Sequence, residues 1–138
     1  MRSVVLAVLM VAVFGCGGGV DEGFAGTWSG TGTFRSPGKP TYSGQTTISL
    51  AVVDGDLHVP GCTASSPPLV VSGSGRAAEW SGQHSCPAPV QSCPTTVVTI
   101  TRYTAALLGD NRIETTGEST VTGCGSSFQV FGSFSGTK

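Results

Sequence analysis

Five cysteines and two histidines are the side chains of this 138-residue chain best suited to chemistry. Cys62, Cys86, Cys93 and Cys124 lie in its second half, with His84 two residues before Cys86 and His58 four before Cys62. Zinc sites ordinarily pair cysteines across two to four residues. The nearest pair here, Cys86 and Cys93, has six residues between them, and no Cys-x-x-Cys of a thiol oxidoreductase occurs. The spacing therefore predicts neither a metal nor a redox site, and no cofactor. Disulfides are the expectation if the chain is exported, since that compartment is oxidising. Four cysteines allow three pairings. Cys62–Cys86 with Cys93–Cys124 would staple neighbouring loops; a local Cys86–Cys93 clip with a long Cys62–Cys124 bond is the competing choice.

Catalytic patterns are missing from the sequence. Gly132-Ser133-Phe134-Ser135-Gly136 has a phenylalanine where the Gly-x-Ser-x-Gly elbow needs its nucleophile. Gly73-Ser74-Gly75-Arg76 lacks the Lys-Ser/Thr of a phosphate loop. Asp54-Gly55-Asp56 reads as a hairpin turn rather than a calcium loop. His84 and Glu79 would point to opposite faces of a strand. No catalytic residue is nominated, and an enzyme is not expected.

The remaining cysteine, Cys16, ends an address. Arg2 precedes an uncharged apolar run from Val4 to Phe14. Eleven residues cannot cross a hydrocarbon layer that needs about 20, but they suit the core of a signal peptide. The run closes on Val13-Phe14-Gly15-Cys16, which resembles the lipobox of bacterial lipoproteins, with Phe14 bulkier than usual. The resemblance implies cleavage after residue 15, diacylglycerol on the Cys16 thiol and an acylated new amino terminus. Several acyl chains, at about 0.8 kcal/mol per buried methylene, hold such a protein at its membrane. A residue other than Asp at position 17 implies the outer membrane of the cell envelope. Residues 16–23 then read as the lipidated cysteine and a Gly-rich tether, and 24–138 as the folded domain.

That domain must be built from strands. Ser and Thr make up about a quarter of the chain and 21 residues are Gly, whereas a helical period is absent. Alternation broken by Gly, Pro, Asp and Asn predicts eight strands, near 24–34, 44–53, 56–61, 68–73, 77–84, 95–107, 112–122 and 127–137. Phe24, Trp28, Gly30, Gly32 and Phe34 share one face of the first. Phe128, Val130, Gly132 and Phe134 share one face of the last, with Phe131 opposite. Even-numbered connections are tight and Gly-rich; odd-numbered ones, which hold all four later cysteines, are longer and mostly carry proline. In a meander this sorts short turns to one end and long loops to the other, as in a cup. The expectation is all-β, an eight-stranded antiparallel up-and-down barrel, with a β-sandwich as alternative.

Gly26-Thr27-Trp28 resembles the Gly-x-Trp that opens the lipocalins and other calycins, whose Trp plugs the closed end of a barrel. The second lipocalin motif, Thr-Asp-x-Tyr, is matched only at Asp110. Where the third places an Arg that stacks on the Trp, this chain offers only Lys138. The resemblance implies a calycin-like barrel and names no substrate.

Charged residues are 11% of the chain and the formal charge is −1, or −2 once Arg2 leaves with the signal, so a nonspecific grip on nucleic acid is excluded. The functional expectation is a lipid-anchored barrel holding a small apolar or amphipathic ligand in a Gly-lined interior. Its nominated contacts are Trp28, Trp80, Arg102, Phe128 and Phe134. Trp80 reads as a second core ring or a stacking platform. Arg102 shares parity with Val98 and Ile100, hence either a strand-end outlier or an interior charge awaiting an anion. The alternative function is a protein-interaction module of the envelope, a protease inhibitor or an assembly accessory. Oligomeric state is not legible.

Overall fold

A computed structural model describes residues 18–63 and 65–138. The signal segment and Cys16 lie outside the described residues. The described strands, both disulfides and the core they enclose make one domain, Gly18–Lys138.

The domain is an antiparallel, up-and-down, nearly closed barrel of nine strands: β1 (Gly26–Arg35), β2 (Tyr42–Val53), β3 (Asp56–Val59), β4 (Leu69–Val71), β5 (Gly73–Ser74), β6 (Ala77–Pro87), β7 (Val97–Leu108), β8 (Arg112–Gly123) and β9 (Ser126–Thr137). Eight match the expected segments; the ninth, β5, is two residues split from β4 at Ser72. The first strand pairs with the last, from Ser29↔Thr137 to Arg35↔Phe131. That pairing requires a close backbone approach: a Cβ on Gly30 would collide with the Ser135 carbonyl oxygen. Alternation does the rest, burying Trp28, Leu50, Leu57, Val71, Ala78, Leu107, Ile113 and Phe134 inside. The outward positions are held by hydroxyl pairs across strands, including Thr27–Ser49, Thr33–Ser43, Ser85–Thr99 and Thr104–Thr116. A wall solvated by Ser and Thr explains how a chain so poor in charge presents a polar exterior.

The two ends differ as the loop pattern predicts. At the base the β2–β3 hairpin turns through Asp54 and Gly55, both at positive φ, the conformation that a two-residue Asp-Gly turn supplies. A 3-10 turn, Glu22–Phe24, precedes β1; the Asp21 carboxylate caps it by accepting from the Gly23 N–H at 2.6 Å. Its last residue, Phe24, is where the sequence pattern starts the first strand, and Glu22 and Gly23 fall in the expected tether. The turn buries Phe24, whose carbonyl accepts from Trp28 Nε1 at 2.9 Å, so the Trp plugs the closed end.

Lys138 meets Trp28 at the base: its Nζ lies 4.7 Å from the Trp28 ring centre and donates to the carbonyls of Gly23 (2.8 Å) and Ala25 (2.6 Å). The packed domain also begins before Phe24. Val20 is buried, its N–H bonds to Gly55 O, Asp21 N–H to Gly75 O, and Gly75 N–H to Gly19 O. Residues 19–23, assigned to the tether, are thus laced across the base.

All four cysteines gather at the opposite rim. Cys93–Cys124 ties the β6–β7 loop to the β8–β9 turn. Cys62–Cys86 ties the β3–β4 loop to β6, on which Cys86 lies, rather than in the following loop. This second bond sits where the ladder is incomplete. β4 and β6 do not pair; near the base β5 continues the chain and pairs with β6 at Gly73↔Ala78 and Ser74↔Ala77, and the Glu79 N–H donates to the Ser72 carbonyl. The disulfide closes the seam at its open end.

Candidate functional site: a cup and its rim

A cavity of about 490 Å³ occupies the barrel above the Trp28 plug. Leu50 and Phe134 lie toward its floor, Ile48, Tyr103 and Thr115 along its wall, and Phe34 toward the mouth. The space exists because three interior positions, Gly32, Gly117 and Gly132, carry no side chain. At Gly117 the nearest atom to an added Cβ, on the Tyr103 ring, would be 3.8 Å away, which is ordinary contact. Hydroxyls of Thr46, Thr47, Ser49, Tyr103, Thr115 and Ser133 are interspersed among the apolar lining, and Tyr103 and Thr115 lie on neighbouring strands. Burial pushes the Tyr103 phenol above its ordinary value of 10.0, against the lowering effect of a hydrogen bond with Thr115. A neutral phenol in an apolar wall is a hydrogen-bonding group that can orient a ligand.

A second hollow, of about 270 Å³, lies at the rim between Phe34, Arg35, Lys39, Tyr42, Phe128 and Val130. Phe34 lines both hollows and is 55% exposed; Tyr42 is 68% and Phe128 37% exposed. Lys39 Nζ stands 4.6 Å from the centre of the Phe128 ring, and Arg35 holds its guanidinium 5.2 Å from that of Phe131.

The nominated residues divide sharply. Phe134 lines the cavity and Phe128 the rim hollow. Trp28 is fully buried in the base beneath the cavity, and Trp80 packs against the core as a second ring without lining it. Arg102 is a correction. It faces outward, with half of its side chain exposed, and pairs with Glu79 at 2.8 Å. The cause is a bulge in β7: the register with β8 shifts between Ile100 and Arg102, so one extra residue reverses the alternation. The same shift turns Tyr103 inward, although it has the parity opposite to Val98 and Ile100. Tyr103, Thr115 and Ile48 are therefore cavity residues that the nominations missed; only a recognised bulge in strand seven could have revealed the first.

His84 Nε2 is enclosed with no hydrogen-bond partner among the described residues. It does not line the cavity. Comparison with known proteins gives no match, whether to family models, to curated sequences or to solved structures.

Proposed function

We propose that the protein is an outer-membrane lipoprotein whose barrel is a cup for a small apolar or amphipathic ligand. The observation that carries this reading is the 490 Å³ apolar cavity, within the range of about 300–1,000 Å³ usual for small-molecule sites, kept open by glycines at three inward positions. The anchor rests on the lipobox-like Val13–Cys16 and on the short apolar run before it. Only Gly17 and Gly18 separate Cys16 from Gly19, the first residue hydrogen-bonded to the base. At about 3.5 Å per extended residue, a lipidated Cys16 holds the base against its membrane and directs the mouth away from it.

Two experiments test the two halves. Binding of the apolar fluorophore N-phenyl-1-naphthylamine by the Gly18–Lys138 domain should be saturable and should disappear in Gly117→Leu, whose Cβ would meet no atom nearer than 3.8 Å and whose side chain would take up cavity space. Binding unchanged in that variant would contradict the cup. Radiolabelled palmitate should enter the full chain and be lost on Cys16→Ala; retained label would contradict the anchor.

The exposed rim aromatics favour a second reading, a protein-interaction module of the envelope. That reading does not need the cavity, so a partner captured equally by wild type and Gly117→Leu would support it instead.

A further inference from the structure

We infer that the rim hollow is a subsite for the anionic head of an amphiphile whose tail lies in the cup. The inference rests on the cup reading and adds the charge of the ligand.

Charge is segregated along the barrel axis. Asp21, Glu22, Asp54, Asp56, Asp110 and Glu114 lie at or beside the base. The connections at the mouth, three long ones (residues 36–41, 60–68 and 88–96) and the two-residue turn 124–125, contain no Asp or Glu. Arg35 and Lys39 stand at the rim, and neither forms an ion pair among the described residues, where the pairs are Arg102–Glu79 and Arg112–Glu114; Glu118, level with Arg35 on the outer wall, borders the Phe131 hollow without pairing to Arg35. Two cations without carboxylate partners, beside an apolar opening, create a positive potential over the entrance.

Lys39 is placed there by the local fold. The Lys39 N–H bonds to the Ser36 carbonyl at 3.1 Å, closing a turn through Gly38, which adopts a φ of +72°. Ser36 Oγ donates to the Gln129 carbonyl, fixing that turn to β9. The ammonium is thereby held above Phe128, in the hollow that shares the Phe34 ring with the main cavity. Rotation of that single ring would join the two spaces. A molecule spanning both would lay its chain among Ile48, Tyr103 and Phe134 and its head among Lys39, Arg35 and Tyr42. An ammonium or neutral head would forfeit the attraction, and a carboxylate or phosphate head would gain a charge-assisted hydrogen bond.

The test titrates the Gly18–Lys138 domain by calorimetry with decanoate, decanol and decylammonium, which have equal carbon counts. Decanoate should bind about tenfold more tightly than decanol, and decylammonium more weakly than either, as two solvent-screened cations allow. The advantage of decanoate should fade with added salt and reverse in Arg35→Glu/Lys39→Glu, while the circular dichroism spectrum and thermal midpoint of that variant report an intact barrel. Equal binding of the three leaves the cup and overturns the rim subsite. Failure of all three to bind overturns the cup and the subsite together. Adsorption of the domain to phosphatidylglycerol vesicles, with no preference for free decanoate, would overturn it in favour of a membrane surface.

Discussion

The base and the mouth of this barrel are built from opposite materials. The base has two-residue turns, a capped 3-10 turn, fully buried Trp28, Phe24, Leu57 and Ile113, and a concentration of carboxylates. The mouth has three long proline-bearing loops, two disulfides, exposed Phe34, Tyr42 and Phe128, and two cations unpaired among the described residues. Packing holds one end and covalent bonds hold the other, because an end left open cannot fill itself with side chains. On the proposed reading stability and recognition are separated along one axis, and substitutions at the two ends should fail in different ways.

The largest effect belongs to the plug. Trp28→Ala should destabilise the domain by about 3–5 kcal/mol in denaturant titration, the range for a buried ring whose cavity only partly collapses. Removing a staple comes next. Cys93→Ala/Cys124→Ala should cost about 2–4 kcal/mol, and Cys62→Ala/Cys86→Ala a similar amount, read by the same titration. The second pair should in addition loosen the β4–β6 seam, seen as faster amide exchange in β6 than in β8. Equal exchange in both strands would mean that the seam is held by packing alone. A smaller loss, about 1 kcal/mol, is expected for Lys138→Ala, which removes the cation over Trp28 and its two carbonyl contacts.

The smallest effect is a pH dependence at the cavity wall. Tyr103 has a raised pKa in the folded chain, so its proton is held more tightly there than in the unfolded chain, whose phenol has the ordinary value of 10.0. The contribution is complete below that value and is lost as pH rises through it toward the folded pKa, because the unfolded chain releases its proton first. Thermal midpoints between pH 9 and 11 should fall more steeply in wild type than in Tyr103→Phe. Parallel slopes would show that the phenol is not enclosed.

Much of this separation of ends is written in local chemistry. Asp54-Gly55 and Gly109-Asp110 demand tight turns, the proline-bearing segments cannot form them, and a meander then sorts the two kinds to opposite ends. The same parity puts all four later sulfurs at one rim. The pairing among them stayed open, because it depends on which loops the closed sheet makes neighbours. Legibility fails where one residue changes the count. The extra residue beside Thr101 has no sequence signature, yet it exchanges the faces of Arg102 and Tyr103 and so misplaces a charge and hides a cavity hydroxyl. The rim hollow was out of reach for a different reason: Phe34, Lys39 and Phe128 meet only because the first strand pairs with the last.

The central claim is that the space above Trp28 is a ligand site rather than a packing gap. Native mass spectrometry of the lipidated protein, extracted gently from envelope membranes, measures this most directly. The cup predicts one small molecule per chain in excess of the covalent mass, absent from Gly117→Leu prepared alongside. Wild-type and variant proteins that both fly without added mass, and take up neither decanoate nor N-phenyl-1-naphthylamine, would contradict it.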